Sequence, residues 1–517
     1  MTQIIKNIFS ILDNNINAIA VKEMRQAVRS RYIILLLQIY LFIEIIMTGF
    51  ALFAYQGIGE DVGLTFFNSL IFILFIANII CVPIYTSNRL AREVQLNDAM
   101  FSTTLAPIQI VRGKVICGLT ISLLLFSAAL PFIIISYLMR GLDLSEILLT
   151  LYWTFLFIQL LNAYGILFGA IRISTVARVI VGLIMSGVLF GLFDSMPYGF
   201  SFVDFITDIE LPVFFLTTIF ILFLCELFIN FAVSSLSPET YNRMTRARIF
   251  AFGCSVILMI ASALIYSFTH DVSYIEVSMV FNLFFILFFL IIGLCERTSL
   301  SVRQIQQIPR NPVLRVLAFP FFTNVGSAIA WLMIMTGATL LFDVIYNNSR
   351  MLDSIITFDN GWSFIFVCLF YITIGMLTRQ AVDCWRRETF AQHLPEDPSI
   401  VIYPSPQKGG MTFFYAILFL SIPVICSLMY FIIVTSSSQS TEDVPFVLNY
   451  FSPFYYLDYD YLSYDKTIFP RILGALSILV LAGQSVYSFI QYYFIYPAKL
   501  QENSLDDSPV SSPSPQK

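Results

Sequence analysis

The stretch NRLAREVQLNDAMFSTTLAPIQIVRGK, residues 88–114, is a polar island between two long apolar runs. The sequence FFNSLIFILFIANIICVPIY precedes it and VICGLTISLLLFSAALPFIIISYL follows it, and each run is long enough to cross a bilayer as a helix. Asn88 is a suitable first residue for a new helix, and Pro107 breaks the helical pattern because it lacks an amide hydrogen. The sequence therefore predicts a helical hairpin that projects from the membrane between two spans.

The composition agrees with a membrane protein. Of 517 residues, 58% are hydrophobic and only 12% are charged, which is too little charge to cover a soluble surface. We expect an all-α polytopic membrane protein with about twelve transmembrane helices. The predicted spans are residues 32–55, 66–86, 115–139, 147–171, 177–194, 211–236, 249–268, 275–295, 316–342, 361–379, 411–435 and 472–495.

The basic residues predict the orientation of these spans. Of the 28 Lys and Arg residues, only Arg140, Arg350, Lys466 and Arg471 fall in loops opposite the N-terminal side. Because Lys and Arg are retained on the cytoplasmic side, we expect both termini to be cytoplasmic and the protein to lie in the cell (inner) membrane.

The two ends of the chain predict different structures. In INAIAVKEMRQAVRSR, residues 16–31, the basic residues Lys22, Arg25 and Arg29 recur at helical spacing, opposite a face that contains Ala20 and Ala27. This pattern predicts a cytoplasmic interfacial helix within residues 1–31; the alternative is a basic flank that only fixes orientation. The Pro- and Ser-rich tail, residues 496–517, is predicted to be disordered.

Several kinds of chemistry find no support in the sequence. The two histidines, His270 and His393, are far apart and predicted on opposite sides, so we expect no metal centre. The chain has no Gly-x-x-x-x-Gly-Lys-Ser/Thr loop for a nucleotide and no Gly-x-Ser-x-Gly elbow. We therefore expect no enzymatic activity, no cofactor in this chain and no nucleic-acid partner.

Two acidic residues fall inside predicted spans. Glu44 and Glu226 are each costly in the bilayer and should face protein or water. They are candidate positions on a substrate or proton pathway; the alternative is an interhelical hydrogen bond. The small-residue pairs Gly165/Gly169 and Gly187/Gly191 favour close helix contact, either within the chain or at a dimer face.

The polar island resembles the coupling loop of membrane subunits (permeases) of type-2 ATP-binding-cassette exporters. That family's pattern runs from a basic residue and Glu, through a short helix, to Pro, an Ile-rich turn and Gly-Lys. The matching residues here are Arg92, Glu93, Met100, Phe101, Ser102, Thr103, Thr104, Pro107, Ile108, Ile110, Gly113 and Lys114.

The resemblance extends over residues 1–248. NAIAVKEMRQAVRSR, which contains Lys22, Glu23, Arg25 and Arg29, is similar to the basic helix that precedes the family's first span. SSLSPETYNRMTRAR, residues 234–248, is similar to the closing segment of some bacterial members. Residues 32–248 would thus form a six-span permease unit with its coupling loop at 87–114.

The resemblance implies a mechanism and a partner. A separate ATPase subunit, which carries ATP and Mg, would bind below the membrane and hold loop 87–114 in a cleft. Glu93 would anchor the loop near the ATPase, and Met100 and Phe101 would supply apolar contact. A second permease copy or a homologue is a further expected partner.

Residues 249–495 contain six further predicted spans, and two interpretations stay open. They are either a degenerate second permease repeat, with residues 296–316 equivalent to the coupling loop, or an accessory unit packed around the first. The inner loop at 379–410 is a second ATPase surface or an ordinary connector.

Two other functions compete with an ATP-driven exporter. An ion-gradient-driven secondary transporter would use Glu44 or Glu226 to couple protons. A lipid-acting membrane enzyme would need paired acids near the interface, and YYLDYDYLSYD contains Asp458, Asp460 and Asp465. We interpret that run as a solvated, Tyr-rich interfacial loop.

Overall fold

The structure, a computed structural model, is helical throughout the residues it describes. These are residues 18–54, 62–96, 106–139, 143–171, 211–237, 241–270, 273–294, 302–346 and 464–495, with the single residues 296, 300, 373, 374 and 377. The chain divides into two units, residues 1–238 with 256–265 and residues 239–255 with 266–517.

Twelve α-helices lie within these described ranges. They are α1 (Ala18–Val28), α2 (Arg31–Ala54), α3 (Val62–Leu96), α4 (Pro107–Leu138), α5 (Leu144–Ala170), α6 (Leu211–Leu236), α7 (Thr245–Thr269), α8 (Ser273–Leu294), α9 (Val302–Gln306), α10 (Pro312–Ala318), α11 (Val325–Tyr346) and α12 (Tyr464–Ile490). A 3₁₀ turn, Phe319–Phe321, follows α10, and a π-helical turn, Gln491–Ile495, follows α12.

Six of these helices, α2 to α7, are long and apolar enough to cross a membrane, and a bent pair of helices makes a seventh candidate. The prediction of an all-α membrane protein is thus confirmed for the described residues. The count of twelve spans and the cytoplasmic termini stay predictions. The predicted spans at 177–194 and 411–435 and the tail at 496–517 lie outside the described residues, as does nearly all of 361–379.

Helix α3 corrects one expectation. Asn88 does not begin a new helix, because α3 continues without a break from Val62 to Leu96. Its 35 residues correspond to about 52 Å of helix, against about 30 Å for the hydrocarbon core. The polar residues after Tyr85 therefore continue the same helix as far as Leu96.

The predicted span at 316–342 is also wrong as a single helix. α10 and the 3₁₀ turn meet α11 at an angle of 90°. Pro320 removes a backbone donor, and Asn324 begins a new helix by accepting a hydrogen bond from Gly326 N to its side chain. The chain therefore turns sharply before α11 begins.

The first unit is held together by close packing of α3, α4, α5 and α6. A Cβ atom at Gly165 would lie 2.9 Å from Pro83 Cα, and one at Gly169 would lie 2.7 Å from Ser87 O. This Gly-x-x-x-Gly pair therefore packs within the chain, α5 against α3. Trp153 of α5 contacts Phe214 of α6 edge to face, with ring centroids 5.5 Å apart.

The second unit has its own small core. Phe289 of α8 lies against Trp331 of α11, with ring centroids 4.4 Å apart. Ser485 Oγ of α12 donates to Gly326 O at 3.0 Å, which fixes the start of α11 against α12. Phe319 of the 3₁₀ turn and Phe322 just after it pack on Tyr492 of the π-helical turn.

Candidate functional site, a buried charged junction

Five charged residues meet where α1, the end of α3 and the start of α4 come together. Lys114 Nζ forms ion pairs with two carboxylates, 2.9 Å from Glu23 Oε1 and 2.8 Å from Glu93 Oε2. Arg89 Nε lies 3.8 Å from Glu23 Oε2, and Lys22 Nζ lies 4.0 Å from Glu93 Oε1. We call these five residues the charged junction.

The residues of the charged junction differ in burial, and burial determines how much each contact contributes to stability. Lys114 and Glu23 are each 1% exposed, and Glu93 is 21% exposed, whereas Lys22 is 59% exposed. An exposed ion pair contributes little, but loss of one partner of a buried pair costs about 3–5 kcal/mol. Lys114 is therefore the central residue, since it neutralises carboxylates from two other helices.

Helix α1 is able to reach Lys114 because residue 113 has no side chain. A Cβ atom at Gly113 would lie 2.9 Å from Ile19 Cγ2 and 3.2 Å from Ala20 N. The buried face of α1 is formed by Ala20, Glu23 and Ala27, at helical spacing. Small residues on both helices thus allow the approach that places Glu23 beside Lys114.

A buried asparagine connects the same helices next to the charged junction. Asn162 of α5 accepts a hydrogen bond from Thr86 Oγ1 of α3 at 3.2 Å. Its Nδ2 donates to Val115 O of α4 at 3.5 Å, and its side chain fills the space above Gly118. Thr86 and Val115 are near Arg89 and Lys114 in sequence, so Asn162 holds α3 and α4 together just beyond the charges.

The predicted coupling residues do not form one cluster among the described residues. Glu93 and Lys114 are joined in the charged junction, and Pro107 is the first residue of α4. Arg92 is exposed near the end of α3. Met100 and Phe101 lie outside the described residues.

The predicted interfacial residues also divide. Lys22 and Arg25 are on the exposed side of α1 and Arg29 is exposed just after it, whereas Glu23 is on the buried side. The sequence motif grouped Glu23 with its basic neighbours, but the packing of α1 on α4 turns its carboxylate inward. The position of α1 in a membrane interface stays a prediction.

The two acids inside spans are not brought into the charged junction. Glu44 of α2 is completely buried, one helical turn after the buried Tyr40. Glu226 of α6 is half-buried. No ion pair joins either acid to a basic residue within the part of the chain that the structure describes.

A second buried ion pair lies in the other unit. Arg248 of α7 pairs with Glu296 and donates to the carbonyl oxygens of Pro320 and Phe322. Burial raises the pKa of Glu296 to about 7, and the guanidinium of Arg248 opposes that shift. We call this set the Arg248 clamp, because it satisfies carbonyl groups that the bend before α11 leaves without helical partners.

The contacts of Arg89 and Asn162 were not predicted from the sequence. Neither residue belongs to one of the sequence motifs, and only their helical spacing from Glu93 and Gly165 could have pointed to them. Arg248 was noted as part of a basic closing segment, and its pairing with Glu296 depends on a contact between residues 48 positions apart.

Comparison with known proteins finds no matching family model, no matching curated protein and no matching solved structure. The helices and their apolar surfaces define the class as a helical integral membrane protein.

Proposed function

We propose that the chain is the membrane-spanning permease subunit of an ATP-driven exporter of the ATP-binding-cassette type. A separate ATPase subunit would hydrolyse ATP, and this chain would couple that hydrolysis to export across the cell membrane. The chain itself would have no catalytic residue. The segment 97–105, at the centre of the predicted loop 87–114, would be the docking point.

The charged junction is the observation that carries this proposal. It joins α1 to the two helices that lead into and out of residues 97–105. Both helices are longer than a bilayer needs, with 35 residues in α3 and 32 in α4, or about 52 and 48 Å. A force applied to residues 97–105 would therefore reach the spans through continuous helices.

The charged junction would also transmit that force between the helices that it joins. If α3 moved away from α1 and α4, the contacts of Glu93 with Lys114 and of Arg89 with Glu23 would both be lost, and separating charges that are partly or fully buried is costly. The end of α3, the start of α4 and α1 should therefore move as one rigid body. Closure of an ATPase dimer would tilt this body and, with it, the spans.

Copurification with a matched control tests the proposal. The chain is purified from native membranes in mild detergent, and ATP hydrolysis sensitive to vanadate is measured in the eluate. We expect ATPase activity to copurify with the wild type and with the control Phe53→Ala, an exposed position near the C-terminal end of α2. Met100→Ala/Phe101→Ala should abolish it. If no ATP-binding protein accompanies the wild-type chain, the proposal is wrong.

An ion-gradient-driven transporter is the second candidate, and the complete burial of Glu44 is the observation that favours it. In that mechanism the carboxylate would bind and release the coupled proton within the span. Transport would then persist in membranes that lack ATP and would collapse with the proton gradient. An ATP-driven exporter gives the opposite pattern.

A further inference from the structure

Helix α10 exposes an unusual amount of apolar surface for a short helix. Four of its seven residues are large aliphatic side chains with between 48% and 65% of their surface exposed, namely Val313, Leu314, Val316 and Leu317. None of its residues is buried. Exposure of so much apolar area to water costs about 25 cal/mol per Å², so this surface requires an apolar environment.

The direction of α10 relative to α11 indicates that lipid supplies the apolar environment. The helix and the 3₁₀ turn lie at 90° to α11, which is apolar and carries exposed aliphatic side chains such as Leu341 and Ile345. If α11 runs along the membrane normal, α10 lies in the plane of the bilayer. Its apolar surface then continues the lipid-facing surface of α11.

The charges next to α10 favour an anionic surface. Arg310 is exposed just before the helix. Arg315 is held in place, since its guanidinium donates to Pro309 O at 3.1 Å and to Tyr493 O at 3.1 Å. It also lies over the Tyr493 ring at 5.2 Å. Arg315 therefore fixes α10 to the turn after α12, while Arg310 stays available for a ligand.

We propose that α10 is an interfacial helix that binds anionic phospholipid in the leaflet that the predicted orientation makes cytoplasmic. Its four aliphatic side chains lie among the upper acyl segments, and Arg310 contacts the headgroup phosphates. The helix sets the depth of the bend, which the Arg248 clamp holds in shape. This role is independent of the source of energy for transport.

The first test measures the depth of α10. A fluorescent amino acid is placed at Leu317, or at Leu479 in α12 as the reference, and the protein is reconstituted into phosphatidylcholine–phosphatidylglycerol nanodiscs. Lipids with a nitroxide at acyl carbon 5 should quench the Leu317 probe more than lipids labelled at carbon 12, and aqueous iodide should quench it weakly. Stronger quenching by the carbon-12 label would show a re-entrant segment and overturn the proposal. Strong iodide quenching would show a water-exposed helix and overturn it as well.

The second test measures headgroup selectivity. Phosphatidylglycerol is titrated into the detergent-purified protein, and bound lipid is counted by native mass spectrometry, with phosphatidylcholine as the neutral probe. Arg310→Gln should weaken phosphatidylglycerol binding about fivefold, the effect of one basic residue near an anionic surface. Arg303→Gln is the matched control, because Arg303 is exposed on α9 and lies over the Tyr241 ring. Equal affinity in Arg310→Gln and the wild type would reject the anionic site.

Discussion

Lys114 Nζ lies 2.9 Å from Glu23 Oε1, and both side chains are almost completely buried, although 90 residues separate them in the chain. Their pairing fixes α1 to α4 through charge and not only through apolar contact. Because Lys114 also holds Glu93, one amino group determines the relative positions of three helices.

Replacement of this amino group should be strongly destabilising. Lys114→Met leaves the buried carboxylate of Glu23 and the partly buried carboxylate of Glu93 without their nearest cation, so we expect the free energy of unfolding to fall by about 3–5 kcal/mol. Thermal unfolding in detergent is the measurement. Arg112→Met, an exposed basic residue two positions earlier, is the control and should change stability little. Similar losses in the two variants would contradict the central role of Lys114.

The packing of α1 against Gly113 of α4 can be tested without removing a charge. Gly113→Leu places a side chain where Ile19 and Ala20 now lie, so α1 should be displaced. Trypsin cleavage at Arg25 and Arg29 in intact membranes should then become several-fold faster. Gly253→Leu is the matched control, because nothing lies within 4 Å of a Cβ atom at that glycine. Unchanged cleavage in Gly113→Leu would refute the close contact.

The contact between α3 and α5 makes a similar prediction about stability. Gly169→Leu would force a side chain against the backbone of Ser87, and overpacking of this kind typically costs about 1–3 kcal/mol. The melting temperature in detergent should fall accordingly. Gly337→Leu should have little effect, since the space around that glycine is open.

The Arg248 clamp predicts a local effect in the second unit. Arg248→Met removes the ion-pair partner of Glu296 and a hydrogen-bond donor to two carbonyl groups at the bend. We expect faster hydrogen exchange over residues 319–326 and a loss of about 3–5 kcal/mol in stability. Arg246→Met, an exposed neighbour on α7, should alter neither quantity. Normal exchange in Arg248→Met would show that other contacts hold the bend.

Hydropathy was a good guide to where helices exist and a poor guide to where they end. The span predicted at 211–236 coincides with α6, because both its ends fall where apolar residues stop. In α3 the polar residues continue the helix for about three turns beyond the predicted end, and α12 begins eight residues earlier than predicted. Hydropathy reports the thickness of the apolar layer, whereas hydrogen bonding decides the length of a helix.

The candidate site shows a similar division. The resemblance singled out Glu23, Glu93 and Lys114 as members of sequence motifs, and these are the residues that the charged junction brings together. Their contacts with one another could not be derived from the sequence, because they depend on how α1 packs against Gly113. The bend before α11 was signalled by Pro320 and Asn324, but strong hydropathy on both sides concealed it.

The most direct measurement concerns residues 97–105, where the proposed ATPase would bind. A photo-crosslinking amino acid is placed at Met100, with Phe53 as the control position, and native membranes are irradiated. A second photo-reactive probe, an azido-ATP analogue, marks any captured protein that binds nucleotide. If this chain docks an ATPase, position 100 gives a nucleotide-labelled adduct and position 53 gives none. The absence of such an adduct from position 100 would contradict ATPase docking, as would an impermeant reagent that reaches position 100 only from the outer face of the membrane.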